Sequence, residues 1–211
     1  MTLPRFYPVL DTAALSACGL APLDAARSVL EAGVRILQLR HKAPYTRDDL
    51  DTAEQIARAC ENAGALFVVN DRADIARLAG AALHLGQDDL PPRSARAVVG
   101  PRAPVGFSTH NEQQLRAAAE EPVDYVALGP IFGTVSKDKP DPRVGTAELR
   151  RLRPLTVLPL AAIGGITREN AAEVLAAGAD SVAVIGDLLR DVSTQSELRA
   201  RAREWLQLTN N

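Results

Sequence analysis

The 211-residue sequence has little cysteine and no long hydrophobic run. Cys18 and Cys60 form neither a CxxC pair nor a Cys/His cluster, so we expect buried free thiols rather than a disulfide framework or a zinc site. No apolar run approaches the ~18 residues that cross a bilayer. The net charge of −2 excludes a general attraction to nucleic acid or membrane surfaces, so local groups must bind any anionic ligand.

Targeting and nucleophile signals are also missing. The N-terminal "MTLPRFYPVLD" lacks the basic-then-apolar plan of a signal peptide, and we expect a cytoplasmic protein. No two of the three histidines have metal-ligand spacing, and Ser108 lacks a GxSxG elbow, which disfavours serine-nucleophile chemistry. His84 lies inside a strand-like run and is predicted to be a packed core histidine.

Short apolar runs alternate with amphipathic helical segments along the whole chain. Predicted strands cover 5–10, 34–40, 66–70, 81–85, 105–109, 124–129, 157–165 and 181–186, and predicted helices cover 22–32, 46–63, 72–79, 91–99, 111–120, 146–152, 168–177 and 195–207. Several strands are apolar on both faces, as a covered parallel sheet requires. Eight strand–helix units predict an α/β protein with a single (β/α)8 TIM-barrel domain over residues 1–211, and an open doubly wound sheet is the alternative.

Polar residues and glycines collect where the predicted strands end. They are Gln38, Arg40, Lys42, Asn70, Asp71, His84, Gly86, Gln87, Asp89, Ser108, Thr134, Ser136, Lys137, Gly164, Gly165 and the pair Ile185-Gly186. Active sites of such barrels lie at the carboxyl ends of the strands. The pattern therefore predicts a functional site at that end.

Arg40 and Lys42 lie two positions apart and would share a face of an extended chain. Paired cations at a strand end suit a multiply charged anion, which arginine can bind through two hydrogen bonds. The alternative is a surface pair bonded to a loop carboxylate such as Asp48.

Asp71 and Asp89 follow adjacent strands, whose axes lie about 4.8 Å apart, so their carboxylates can converge. Two close anions need a cation between them or a raised pKa, and oxygen ligands without cysteine or histidine favour Mg²⁺. The alternative is that Asp89 caps the next helix, and the spacing alone does not decide between Asp88 and Asp89.

Gly164 and Gly165 precede Thr167 and a predicted helix, an arrangement that suits a backbone phosphate site. The loops after strands seven and eight are the usual phosphate site of this barrel class, and Gly186 would complete it.

Seven segments in order resemble the thiamine-phosphate synthase family. They are "QLRHK" (38–42), "ND" (70–71), "HLGQDD" (84–89), "GFSTH" (106–110), "DYVALGPIFGTVSK" (124–137), "AIGGI" (162–166) and "NAAEVLAAGADSVAVI" (170–185). The resemblance implies a (β/α)8 barrel that joins hydroxymethylpyrimidine diphosphate to a thiazole phosphate, releases pyrophosphate and uses Mg²⁺. The implied partners are small-molecule substrates, with no nucleic acid or membrane, and a homo-oligomer is left open.

The resemblance also implies residue roles. Substrate binding falls to Gln38, Leu39, Arg40, His41, Lys42, Asn70, Ser108, Thr134, Val135, Ser136, Lys137, Gly165, Ile185 and Gly186, metal binding to Asp71 and Asp89, and catalysis to Lys137, Arg40, Lys42 and Ser108. Lys137 would stabilise the departing diphosphate. The thiazole phosphate would be received by Thr134, Ser136, the Gly165 amide and the 185–186 backbone.

This chain departs from the family pattern at two positions. Ser136 stands where threonine is usual and keeps the hydroxyl, whereas Gly186 stands where serine is usual and lacks one. The alternative functions are a thiazole tautomerase-like barrel and a non-catalytic phosphate-ligand-binding paralogue. Both Asp71 and Asp89 are present with Lys137, which favours the diphosphate-releasing enzyme over the tautomerase. An epimerase or aldolase barrel would need a Schiff-base lysine within a strand or an acid–base pair of aspartates facing across the barrel, and the lysines here all fall in loops.

Overall fold

The computed structural model describes residues 1–133 and 141–210. Eight parallel strands pair in chain order and the eighth returns to the first, which closes a barrel and confirms the predicted TIM-barrel fold. The strands are β1 Phe6–Asp11, β2 Ile36–Arg40, β3 Leu66–Asn70, β4 Ala82–Leu85, β5 Val105–Thr109, β6 Tyr125–Leu128, β7 Leu160–Ile163 and β8 Ser181–Val184.

Helices follow every strand. They are α1 Thr12–Ala17, α2 Pro22–Ala32, α3 Arg47–Ala63, α4 Ala73–Ala79, α5 Pro92–Val99, α6 Glu112–Ala118, α7 Gly145–Leu152, α8 Ala171–Ala176, α9 Gly186–Leu189 and α10 Gln195–Asn210, and a 3₁₀ turn, Arg153–Leu155, follows α7. Local sequence sets their ends. Thr46 and Asp49 form a reciprocal capping box at the start of α3, and Gly64 ends that helix at φ 62°.

The structure corrects three predicted elements. Strand seven is shorter than the predicted 157–165, because Val157 is 99% exposed and Gly164 leaves the extended conformation at φ 100°. Helices α1 and α9 were missed by the sequence analysis. They have six and four residues, too few for a helical hydrophobic period to show.

Strand pleating separates an inner core from an outer one. The barrel interior contains small residues, among them Ala82, Ala127, Ala161 and Ala183, together with the large rings of Tyr7 and Tyr125. The outer core fills the space between strands and helices, where Trp205 of α10 stacks on Phe6 with ring centroids 5.3 Å apart. Small residues inside the barrel leave room for polar side chains at its carboxyl end.

In the part of the chain that the structure describes, none of the helices combines the length and the apolarity that a membrane span requires.

Both cysteines are free thiols, as predicted, and their exposure differs. Cys60 is 1% exposed, and burial raises its pKa to about 12, so at pH 8 this thiol is almost entirely protonated.

We expect a disulfide reagent such as dithionitrobenzoate to react at pH 8 with the half-buried Cys18 alone, and with both thiols after unfolding. A Cys60→Ala variant should match the wild type in native labelling. Rapid reaction of Cys60 in the folded protein would contradict its burial.

Candidate active site

The two predicted anion-binding cations lie at the carboxyl end of the barrel, each in contact with a carboxylate. Asp11 is the strand partner of Arg40, and the Arg40 guanidinium forms an ion pair with the Asp11 carboxylate. The Lys42 ammonium forms an ion pair with Asp71. Neither cation is bonded to Asp48, which was the alternative considered from the sequence.

Asp11 is a site residue that the sequence analysis missed. Asp11 Oδ1 accepts a hydrogen bond from the Ala14 amide at 3.0 Å and caps α1, while Asp11 Oδ2 accepts from Arg40. The signal was present, since Asp11 directly follows the first predicted strand (5–10), just as Arg40 ends the second (34–40).

Asp71 has an unusual backbone conformation. Its φ of 64° lies in the left-handed region, which few residues other than glycine adopt and which aspartate and asparagine tolerate best. The Asp71 amide donates to the His84 carbonyl at 2.8 Å, which extends the β3–β4 pairing by one residue. This conformation turns the Asp71 side chain toward Asp89.

The carboxyl groups of Asp71 and Asp89 lie close to each other. The pKa of Asp71 is raised to about 6, first by burial and then by Asp89, and the Lys42 ammonium opposes the shift. Asp89 also accepts from the Gly86 amide at 2.7 Å, whereas Asp88 is exposed and α5 has no side-chain cap. Asp89 is therefore the inward carboxylate, and it does not cap the next helix.

This pair suits a divalent cation. Two anionic oxygens held together need a positive charge or a shared proton, and Lys42 supplies part of that charge. Residues 1–133 and 141–210 contain no cluster of three or more acidic, histidine or cysteine ligands. Mg²⁺ typically keeps several waters and takes one or two carboxylates plus substrate phosphates, so this donor set fits it.

A chain of hydrogen bonds crosses the barrel interior below these charges. The Gln38 amide nitrogen donates to Tyr7 Oη at 2.8 Å, Tyr7 Oη lies 3.0 Å from Tyr125 Oη, and Tyr125 Oη lies 3.0 Å from His84 Nδ1. His84 Nε2 in turn lies 2.9 Å from Ser108 Oγ. Two predicted site residues, Gln38 and Ser108, thus form the ends of a chain whose tyrosines the sequence analysis did not find.

His84 is packed in the core, where its position in a strand run predicted it. Burial lowers the pKa of His84 to about 4, so the imidazole is neutral at physiological pH. Asn70 is buried nearby in the adjacent strand, and its Nδ2 has no hydrogen-bond partner among the described residues. An unpaired buried donor costs free energy, and an acceptor on a bound ligand would remove that cost.

Gly164 and Gly165 form a tight turn at the end of β7, with φ of 100° and 63°. The Ile131 amide donates to Ile163 O and the Phe132 amide to Gly164 O, both at 2.9 Å, which holds the start of the following loop beside the turn. Helix α8 begins at Ala171 rather than at the predicted 168, while α9 begins at Gly186.

Not all predicted site side chains face the interior. Leu39 packs in the outer core, as the strand alternation from Gln38 and Arg40 requires, while Ile185 packs against the inner core. His41 bonds Thr12 Oγ1 at 3.0 Å and contacts the Tyr45 ring. Thr134, Val135, Ser136 and Lys137 lie outside the described residues.

Comparisons with known proteins decide the family. Residues 6–188 match the family model described as "Thiamine monophosphate synthase". The chain belongs to this family. It is 48% identical to the thiamine-phosphate synthase of Koribacter versatilis over 100% of this chain and 98% of that protein. With the thiamine-phosphate synthase of Chlorobium phaeovibrioides it shares 45% identity over 88% of this chain and 89% of that protein.

A solved structure agrees with the sequence matches. The thiamine phosphate pyrophosphorylase from Pyrococcus furiosus superposes with a TM-score of 0.85 at 26% identity, over 98% of this chain and 95% of that one. The thiamine monophosphate synthase family therefore accounts for both the barrel and the order of its motifs, and the chain is a transferase of thiamine biosynthesis.

The two glycines of the predicted phosphate site should respond differently to alanine. A Cβ at Gly165 would overlap the Gly133 carbonyl and lie 2.8 Å from Phe132 Cβ, in addition to the cost of a positive φ. A Cβ at Gly186 would meet nothing within 4 Å. We expect Gly165→Ala to lower the free energy of unfolding by about 2 kcal/mol or more, and Gly186→Ala to change it by less than about 0.5 kcal/mol, in urea denaturation. Equal effects would contradict this loop packing.

Proposed function

We propose that this chain condenses 4-amino-2-methyl-5-hydroxymethylpyrimidine diphosphate with hydroxyethylthiazole phosphate to give thiamine phosphate and pyrophosphate. The observation that carries the proposal is the contact of Asp71 with Asp89 beside Lys42 and Arg40, at the carboxyl end of a family barrel. This arrangement suits a metal-assisted diphosphate site.

The reaction needs no protein nucleophile. The bond between the methylene carbon and the diphosphate oxygen breaks, and its electron pair leaves with the diphosphate. The electron-rich aminopyrimidine stabilises the resulting carbocation, and the thiazole nitrogen lone pair then forms the new carbon–nitrogen bond. The protein must stabilise the charge that builds on the leaving group and exclude water from the cation.

The described residues divide this task by chemistry. Arg40 and Lys42 bind the diphosphate, exchanging their carboxylate partners for phosphate oxygens. The Ser108 hydroxyl donates to the same group, while Gln38 and Asn70 bind the aminopyrimidine. Lys137, outside the described residues, stabilises the leaving group. Thr134, Ser136, the Gly165 amide and the backbone at 185–186 receive the thiazole phosphate.

Asp71 and Asp89 would hold Mg²⁺. When bound, the ion supplies positive charge to the departing diphosphate oxygens. The raised pKa of Asp71 supports this assignment, because a carboxyl pair that resists double ionisation gains most from a divalent cation.

The alternatives fit the site less well. A thiazole tautomerase transfers protons and has no need of a cation pair and two convergent carboxylates. A non-catalytic phosphate-binding paralogue would bind the ligand without releasing pyrophosphate, and a product assay separates it from the synthase. We also propose the cytoplasm as the compartment, which suits two free thiols.

The direct test is to incubate the purified protein with both substrates and Mg²⁺ and to measure pyrophosphate and thiamine phosphate. We expect the two products in equal amounts. Pyrophosphate without thiamine phosphate would indicate hydrolysis, and neither product would overturn the proposal.

The metal assignment predicts a specific defect in Asp71→Asn, because asparagine keeps the left-handed backbone and removes the charge. We expect Mg²⁺ affinity to fall about tenfold or more by calorimetry, and activity to be partly restored by raised Mg²⁺. Asp191→Asn is the matched control, since Asp191 is exposed and has a similar φ of 56°. Unchanged Mg²⁺ affinity in Asp71→Asn, or activity indifferent to a chelator, would remove the metal from the mechanism.

A further inference from the structure

The hydrogen-bond chain that crosses the barrel joins residues from five strands. It runs from Gln38 on β2 through Tyr7 on β1, Tyr125 on β6 and His84 on β4 to Ser108 on β5. Tyr7 and Tyr125 are at most 1% exposed and His84 is 7% exposed, so solvent does not supply alternative partners to its middle. The orientation of each member therefore depends on its neighbours in the chain.

The space for this chain depends on a glycine. A Cβ at Gly106 would overlap the Tyr125 ring and come within 2.5 Å of His84 Nδ1. Gly106 pairs with both His84 and Tyr125 in the sheet, so it lies directly under their contact. The missing side chain at this one position lets the phenol reach the imidazole.

The direction of the hydrogen bonds follows from counting hydrogens. Each buried phenol has one hydrogen to donate, and both phenols remain protonated because burial raises their pKa. Among the described residues no hydrogen bond or ion pair joins the His84 ring to a carboxylate, and burial outweighs the opposing effect of the Asp89 charge on its pKa, so the ring is neutral and carries one N–H. Each of these three residues can therefore donate to only one neighbour, and all of them must donate toward the same end of the chain.

Gln38 selects which direction the chain takes. Its amide nitrogen donates to Tyr7, so the Tyr7 hydroxyl must donate to Tyr125. Tyr125 then donates to His84 Nδ1, and the His84 proton lies on Nε2 and is donated to Ser108 Oγ. The Ser108 hydrogen remains free to donate to an anion, and the Gln38 carbonyl oxygen has no hydrogen-bond donor among the described residues.

We propose that Tyr7, Tyr125 and His84 act as positioning residues that fix Gln38 as an acceptor for the pyrimidine amino group and Ser108 as a donor to the diphosphate. This inference deepens the proposed function and rests on it for the two ligand groups. In the reverse direction Ser108 would donate into the protein and Gln38 would present an N–H to an amino group. That direction would place the Ser108 oxygen, as an acceptor, against the anionic diphosphate. It would also place the Gln38 N–H, a donor, against the N–H donors of the pyrimidine amino group.

The proposal predicts that the two tyrosines have different kinetic effects. Tyr7→Phe removes the link between Gln38 and the rest of the chain. Gln38 then loses its fixed orientation, and Tyr125, His84 and Ser108 keep their hydrogen bonds to one another without the group that selects their direction. We expect about a tenfold higher KM for the pyrimidine diphosphate and a kcat lowered by less than in Tyr125→Phe. Tyr125→Phe removes the donor to His84 as well, so KM rises and kcat falls about tenfold.

A double-mutant cycle separates positioning from packing. Tyr125 and Ser108 form no hydrogen bond with each other and are linked through His84, so a purely structural effect of Tyr125→Phe would add to that of Ser108→Ala. We expect Tyr125→Phe to lower kcat by less than about twofold in the Ser108→Ala background. Ser28→Ala is the control, because it removes another buried hydroxyl bond, to the Asp24 carbonyl in α2, and should leave kinetics unchanged.

A measurement without catalysis keeps this inference separate from the proposed function. Nitrogen-15 NMR of the wild-type protein at neutral pH should show His84 as the Nε2–H tautomer, with Nδ1 unprotonated. An Nδ1–H tautomer would overturn the direction of the chain, and additive kinetic effects would overturn the positioning role. If the wild type formed no thiamine phosphate, the proposed function would fail while the tautomer still tested the chain.

Discussion

A closed parallel barrel sends every second side chain of each strand inward, and the site depends on this constraint. Gln38 and Arg40 face inward on β2 while Leu39 packs outside. Because the strands are parallel, their carboxyl ends meet at one mouth, and charged residues that follow different strands converge there. The alternation of side chains along the strands thus brings residues that are far apart in sequence together into one polar surface at the mouth of the barrel.

Both cations described at this mouth already have carboxylate partners within the protein. Each of the two cations contacts a carboxylate, Arg40 with Asp11 and Lys42 with Asp71, and Asp71 also contacts Asp89. An incoming anion must replace the carboxylate partner of each cation. The carboxylates that lose their cation in this way are stabilised when a positive ion binds to them. The arrangement therefore couples the binding of an anion to the binding of a positive ion.

The sequence was sufficient to predict the barrel and most of the polar residues at its mouth, because strand runs and their polar ends are local patterns. Asp11, Tyr7 and Tyr125 were missed for a different reason. Asp11 gains its role from pairing with a strand more than twenty residues later, and the tyrosines lie early in their strands and meet only across the barrel. Such contacts follow from barrel closure and not from any periodicity.

Helices α1 and α9 were missed because one turn of helix gives no hydrophobic period. The choice between Asp88 and Asp89 likewise needed coordinates, since it depends on the turn after β4, where the Gly86 amide bonds Asp89. The polar residues at predicted strand ends therefore do not identify residues whose role depends on a turn conformation or on a contact across the barrel.

The close approach at Gly106 has an evolutionary consequence. A methyl group there would overlap the phenol ring of Tyr125, so the total side-chain volume at the two positions is limited. A larger residue at 106 becomes tolerable only when the ring at 125 shrinks, and that exchange discards the phenol oxygen. Descendants of this sequence should acquire a larger residue at 106 only together with a smaller one at 125, whereas a change at 125 alone meets no obstacle at Gly106.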